Sequence, residues 1–585
     1  LVTQPTRRHA APGNTGLNGR NLATGLLLAV PIGIVLATVL TYALNLPYWD
    51  DYLVQEQLLL LKSQPSGRLK LLHLFDQHWE HRIVWTRLVF AGWYKLNGVL
   101  NYYGLTLVGV SGLLALMGVL ILVFRKTGLS LLYLLPVPFW LFTLQSHENL
   151  LWAMASIQNF WVLVFALASF YLLARPVGWS RLLALALAVL ATYTSGNGSL
   201  VLLAGLAVLI WQAITGRVRF VWVGGWLAVT ALSIAGYFYH YSRITFFPSP
   251  FRYPFIDWAK AFFVFFGAFA DPYPYSGAAA YGYENPLGLT IFLGIVLVGV
   301  GGYLTWTDLW ETVQKRKGTP GKITPGGRIN LPDFFLATLL FLLVTAAITV
   351  YSRVGFAGPG YLLQGRYKVY SALTLAVVYL YTLYRLGRAQ KTLSAPVLGV
   401  IATLSIGQSL LSDYLCLEGI VNQHRRTTAE YFNYLLNTPL KQQLALSTLF
   451  IPTEETFFSG QTRQLAVQSW LNAPASAKLD RFSSQTFMYW IEKSNTVNPT
   501  LNRPTDGTYV YMTSGTHTYL FAARPLRPAP LALGGFDGYF RPEGIRAQVL
   551  QEHLKPGTYR IGLLTNRAGQ LHLSMTPQTV TFTSL

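Results

Sequence analysis

One cysteine, Cys416, stands in 585 residues, which excludes an intramolecular disulfide framework and leaves the redox compartment open. Charge is scarce too, at 11% of the chain, and acids are the scarcer sign, 23 against 44 Lys and Arg. No repeat relates the two halves, which counts against a secondary transporter. Beyond Cys416 no apolar run is long enough to cross a bilayer. A net charge of +21 would point to nucleic acid in a soluble protein. Here many basic residues stand at the ends of apolar runs, so topology and anionic lipid explain them and no nucleic-acid partner is expected.

What is present is apolar: 52% hydrophobic and 14% aromatic residues, with several runs of about twenty, define a polytopic α-helical membrane protein. Residues 1–21 read as a cytoplasmic tail. Residues 22–45 exceed a signal-peptide core and read as an uncleaved first span. Further spans are expected at 103–124, 128–145, 150–174, 180–195, 199–215, 220–240, 286–306, 333–351, 369–386 and 394–415, about eleven in all. Arg125 and Lys126, Arg175 and Arg181, Arg217 and Arg219, the 315–328 cluster, and Arg385, Arg388 and Lys391 then fall on the N-terminal side. The positive-inside rule makes that side cytoplasmic, and places 46–102, 146–149, 196–198, 241–285, 352–368 and all after 416 outside.

The first external loop is a polar island holding Asp50, Asp51, Glu56, Asp76, His78, Glu80, His81, Arg82 and Arg87. Acids, histidines and arginines together are what proton transfer on an anionic substrate needs. His78 and His81 are three apart, where helical zinc sites prefer four, so a catalytic zinc is not expected. Arg243, Arg252, Arg353, Arg366, Lys368, Arg425 and Arg426 lie on the same outer side, where topology asks for no positive charge. Singly, each reads as a snorkelling or salt-bridged residue; as a group they suggest an anionic headgroup site, since the arginine fork matches phosphate. Residues 255–270, in the aromatic-rich 241–285 segment, read as an interfacial or re-entrant helix. Residues 416–483 read as a helical external connector, and 484–585, with TYVYMT, HTYLFAA, IRAQVL, GTYRIGLL, QLHLSM and TVTFTSL, as a β-sandwich-like external domain.

Five pieces carry a resemblance: YWDDY at 48–52, HWEHRIVWTRL at 78–88, HENLLWAMASIQNFW at 147–161, TSGNGSL at 194–200 and QGRYKVY at 364–370. Over roughly 22–415 the chain resembles bacterial polytopic glycosyltransferases of the GT-C superfamily, which use polyprenyl-phosphate-linked sugars and carry an acidic motif after the first span. The resemblance implies an enzyme of the bacterial inner membrane that transfers a sugar, with inversion, to an extracytoplasmic glycan, lipid or protein acceptor. It implies Asp50 or Asp51 as general base, and donor-site roles for Glu80, His81, Arg82, His147, Glu148, Asn197, Arg353, Arg366 and Tyr367. A base must take the acceptor proton, and a cation must support the departing lipid phosphate. Neighbouring carboxylates at 50 and 51 could instead hold Mg, Mn or Ca, which leaves metal use open. The alternatives are a non-catalytic subunit of an envelope assembly and a transporter.

Overall fold

The computed structural model describes residues 19–244, 247–274, 287–318, 329–438, 445, 448–451, 474–484, 488–497, 504–526, 543–551 and 554–583. The expected tail at 1–21 thus lies almost wholly outside the described residues, as do much of the connector and most of the 315–328 loop. Apolar runs become helices because hydrocarbon offers the main chain no partners, so each N–H and C=O must bond within its own segment. In chain order the helices begin with α1 (Gly19–Tyr42), α2 (Asp51–Ser63), α3 (Gly67–Leu74), α4 (Val84–Asn97) and α5 (Tyr102–Phe124). Next come α6 (Pro136–Leu141), α7 (His147–Leu150), α8 (Ala153–Leu173), α9 (Gly178–Thr192), α10 (Ser199–Ile214) and α11 (Phe220–Phe238). Last are α12 (Phe255–Gly267), α13 (Gly288–Gly318), α14 (Leu331–Ala357), α15 (Gly365–Arg388) and α16 (Ala395–Asn437). Among the described residues nine, namely α1, α5, α8, α10, α11 and α13 to α16, are long and apolar enough to cross a membrane. With 15 residues, α9 is about 22 Å long, short of a hydrocarbon core of about 30 Å.

The segment expected to span at 128–145 departs from a continuous helix. It runs as a 3-10 turn at Leu131–Leu134, the six-residue α6, an extended Phe142–Thr143 step and a second 3-10 turn at Leu144–Ser146. Pro136 and Pro138 explain the break, since neither can donate to a helical ladder. One end meets the 389–394 turn, where Tyr133 Oη donates to Leu393 O at 3.1 Å. The other meets the end of the α12 region, where Gln145 Nε2 donates to Phe269 O and Asp271 O, both at 3.0 Å. Residues 134–147 are buried throughout, the condition under which broken backbone is tolerated at membrane depth.

The connector expected to begin at 416 does not begin there either: α16 continues unbroken for 43 residues, about 65 Å. Asp413 and Glu418 end the apolar run but not the helix; the sequence offers no proline until Pro439, and the helix stops at Asn437, just before the residue preceding it. The loops sort into two sets at opposite ends of the bundle. At one end Asn330 N donates to Ala174 O, Arg217 pairs with Asp333 at 2.6 Å, and Arg385 pairs with Asp308 and Glu311. At the other, the loops following α1, α3 and α9, the start of α2 and the facing ends of α8, α11, α14 and α16 meet one another, as alternate crossings require.

The C-terminal region forms β1 (Arg481–Ser484), β2 (Met488–Val497), β3 (Gly507–Thr513), β4 (Thr518–Ala522), β5 (Arg524–Pro525), β6 (Glu543–Leu550), β7 (Gly557–Arg567) and β8 (Gln570–Phe582). Two antiparallel sheets, ordered β1-β2-β6-β5 and β4-β3-β7-β8, face each other across a core with Ile491, Ile545 and Val549 on one side and Val510, Met512 and Ile561 on the other. Two sequence readings change here: QLHLSM and TVTFTSL are one strand, β8, and β2 was not among the expected strands. Alternation along β3 sends Val510 and Met512 into the sandwich, and Tyr509 and Tyr511 onto Ala429 and Phe432 of α16. Asn433 exchanges two hydrogen bonds with Leu520 of β4, at 2.9 and 2.6 Å, which fixes the sandwich on that helix.

Candidate active site

The sequence HWEH folds as a tight hairpin closed by two main-chain bonds between His78 and His81, both 2.8 Å. Trp79 takes φ +48°, and Trp49, beside Asp50, takes φ +47°. Bulky residues are outliers in this left-handed region, at a cost of about 1–3 kcal/mol each, and persist where the surroundings over-determine them. The surroundings here are well tied. Arg82 donates to the carbonyls of Phe75, Tyr237 and Tyr239, Glu80 pairs with Arg353, and Gly196 N donates to His81 Nδ1 at 3.2 Å. A Cβ on Gly196 would stand 2.5 Å from that same nitrogen, so only glycine allows the approach.

The adjacent acids are placed differently. Asp51 is 1% exposed, and its two oxygens accept from Tyr48 N at 3.1 Å and Met154 N at 2.9 Å, tying the start of α2 to the start of α8. Burial raises its pKa well above the usual carboxylate value, with the two N–H groups opposing. Asp50 has 27% of its side chain exposed, receives the Trp79 indole N–H on Oδ1 at 3.0 Å, and has His78 Nε2 at 3.8 Å from Oδ2. Burial would raise its pKa as well, but the neighbouring His78 imidazole, the Trp79 N–H and the positive charge of Arg366 together hold it below its ordinary value. Asp50 is therefore the partly open, ionised member of the pair.

His81 is neutral at pH 7: burial, with the nearby charges of His78 and Arg366, pushes it down to about 4 against the opposing pull of Asp50. Because Nδ1 accepts from Gly196, its proton sits on Nε2, which faces Glu80 Oε1 at 3.6 Å. Arg353, near the end of α14, is held by Glu80 and donates to Tyr367 Oη at 3.1 Å. Arg366, in the first turn of α15, donates to Tyr361 Oη at 3.3 Å and lies against the Tyr367 ring. Its Nε is buried and, among the described residues, has no hydrogen-bond partner.

Other expected site residues fall around this centre. Arg82 is occupied by three carbonyls and is a fold residue rather than a free cation. His147 is buried against Gly365 and Gly419, and burial pushes it down to about 4. Glu148 follows it, half-buried, with its charge reaching Tyr48 and His147. Asn197 donates to Tyr370 Oη at 3.0 Å.

The sequence reading counts Arg426 among the outer-side cations but misses Glu430. Arg426 and Glu430, one turn apart on α16, close the far side of the centre: Arg426 lies over the rings of Tyr48 and Trp49, at 5.7 and 5.3 Å, and Glu430 accepts from Trp49 N at 3.2 Å. The signal that could have joined them is their i, i+4 spacing in the stretch read as a helical connector. Trp79 gives no sequence signal for its role, because its contact with Asp50 depends on an uncommon φ.

Chemically the arrangement sets an ionised carboxylate beside a guanidinium with donors to spare, in a setting of aromatic rings. Each Asp51 oxygen accepts one main-chain N–H, so Asp51 is turned toward the starts of α2 and α8 while Asp50 faces the hairpin. Among the described residues no group of three His, Cys, Asp or Glu side chains is arranged for a metal. A small cavity at the opposite end, lined in part by Trp211, Asp308, Asp333 and Tyr381, has its acids already paired with Arg385 and Arg217. No family model, curated protein or solved structure matches the chain.

Proposed function

We propose that the chain is a membrane glycosyltransferase, resembling the GT-C superfamily, that moves a sugar from a polyprenyl-phosphate donor to an extracytoplasmic acceptor with inversion. What carries this reading is the gathering of Asp50, Glu80, Arg353 and Arg366, up to 316 positions apart in sequence, around one carboxylate held between two strained tryptophans. Asp50 takes the proton of the acceptor hydroxyl, whose oxygen attacks the anomeric carbon opposite the phosphate. The bond from that carbon to the phosphate oxygen breaks, and polyprenyl phosphate leaves with the electron pair, its charge met by Arg366. Glu80, His81 and Tyr367 offer hydrogen bonds to sugar hydroxyls. Glu148 and Asn197 border the donor side, and no metal enters the scheme.

Arg366→Ala should weaken donor binding about 10- to 100-fold, the loss of a charge-assisted contact, and Arg366→Lys should recover only part of it. The comparison uses binding of a polyprenyl-phosphate sugar to monodisperse protein in detergent. Equal affinity in wild type and Arg366→Ala removes Arg366 from the site.

In this reading the Asp50 end and the β-sandwich face the outside of the bacterial inner membrane, and the Arg217 and Arg385 end faces the cytoplasm. A cysteine at exposed Thr516 should react in intact spheroplasts with a membrane-impermeant thiol reagent, and one at exposed Ala389 should not. The reverse pattern inverts the topology and rejects an extracytoplasmic reaction.

A further inference from the structure

We propose that the hairpin from His78 to His81 sets the working orientation of Asp50, with His78 and Trp79 as positioning residues that act on the carboxylate. The inference rests on the reading of Asp50 as general base and names residues which that reading did not require. Its geometry is this: the Trp79 indole donates to Oδ1 at 3.0 Å, and His78 Nε2 stands beside Oδ2 at 3.8 Å, within ion-pair reach but too far for a hydrogen bond.

The strain at Trp79 supports a purpose beyond packing. An indole is usually placed to bury its large apolar face, yet Trp79 remains 44% exposed while its backbone sits at φ +48°. Little burial therefore offsets the strain. What the unusual angle achieves is delivery of the indole N–H to Asp50. The hairpin is held in that shape from outside: Gln77 Nε2 donates to Trp79 O at 2.6 Å and Ser242 O at 2.7 Å, His81 meets Gly196, Glu80 meets Arg353, and Arg82 follows with its three carbonyls. Each residue from 77 to 82 thus makes a tie to the hairpin itself, to Asp50 or to the facing end or loop of a later helix.

The consequence can be read without a donor. The groups acting on Asp50 are His78, Trp79 and Arg366, and those that feel its charge in turn include Asp51, His81 and Glu430. An N–H aimed at a carboxylate favours the ionised form, so its removal lets Asp50 keep a proton to higher pH. Trp79→Phe keeps an aromatic ring and removes the pyrrole half of the indole with its N–H.

Carbodiimides add to a protonated carboxyl, so the pH at which Asp50 becomes reactive, read by peptide mass spectrometry on the full-length protein in detergent, follows its ionisation. With a water-soluble carbodiimide and an amine trap, Trp79→Phe should move that midpoint up by about one pH unit, the scale of a charge-assisted hydrogen bond. His78→Gln should move it in the same direction and serves as the second variant if Trp79→Phe fails to fold. An unmoved midpoint in a folded variant of either kind overturns the assignment of that residue. The two readings fail separately: a shifted midpoint with full transfer in Asp50→Asn removes the base and leaves the hairpin contact, whereas an unmoved midpoint with no transfer in Asp50→Asn removes the hairpin role alone.

Discussion

Under the proposed function, Asp50→Asn should lower turnover by about 10²–10⁴-fold while leaving donor affinity little changed, because asparagine keeps the size and the Trp79 hydrogen bond but cannot take the acceptor proton. The neighbouring substitution behaves differently. Asp51 accepts two main-chain N–H groups in a buried setting, and asparagine offers only one oxygen to them. Asp51→Asn should therefore cost about 1–3 kcal/mol of stability, the price of leaving a buried N–H unmet. The part that folds should retain most of its turnover. Melting curves and single-turnover rates measured on the same samples separate the two effects. A stable, inactive Asp51→Asn beside an active Asp50→Asn would exchange the roles given to the pair.

Lys368→Met should destabilise the protein by about 3–5 kcal/mol. Lys368 and Asp271 are each 1% exposed at the side chain, and the ammonium donates to Asp271 O, Asp271 Oδ2 and Tyr273 O, all at 2.8 Å. Those three bonds join α15 to the chain leaving α12, close to where the broken 134–147 segment ends. Removing the ammonium strands a buried carboxylate, and most of the cost comes from that stranded charge. Lys368→Met combined with Asp271→Asn should recover a large share of the loss, since no uncompensated charge remains. Thermal unfolding of the three proteins in one detergent tests this. A single variant that melts with wild type would show that the pair carries no structural weight.

Much of the membrane architecture was legible because bilayer physics is strict: apolar runs had to become helices, and alternating basic loops sorted into two ends. The strict rule failed where protein, not lipid, surrounds the chain. Pro136 and Pro138 could break the segment because it is buried among other helices, and hydropathy cannot see that neighbourhood. It also failed at the far end of α16, where a helix leaving the apolar layer keeps its hydrogen bonds, so the fall in hydropathy at Asp413 marked no boundary. For the candidate site, residue type singled out Asp50, Glu80, Arg353 and Arg366; in the fold Glu80 meets Arg353, and the charge of Arg366 reaches Asp50. Arg82 has the same chemistry and a different occupation, set by the carbonyls it meets, which one-dimensional order does not display. The parting of Asp50 from Asp51 was partly foreseeable, since adjacent side chains point apart. That Met154 N would claim Asp51 depended on α8 arriving there.

The β-sandwich has no assigned chemistry, yet its docking bears on the site. Tyr509 and Tyr511 of β3 and Leu520 of β4 lie on the stretch of α16 that also presents Arg426 and Glu430 to Trp49. Its position thus steadies the side of the centre furthest from the hairpin.

The most direct test of sugar transfer at this centre is release of polyprenyl phosphate from lipid-linked sugars by the purified protein in proteoliposomes. Envelope extract supplies the acceptors, and Asp50→Asn serves as the blank. The account predicts that at least one polyprenyl-phosphate sugar in a broad panel is consumed by wild type, with stoichiometric release of the lipid phosphate, and is bound but not consumed by the blank. Equal release by wild type and blank, or none from any donor by monodisperse wild type, would contradict it.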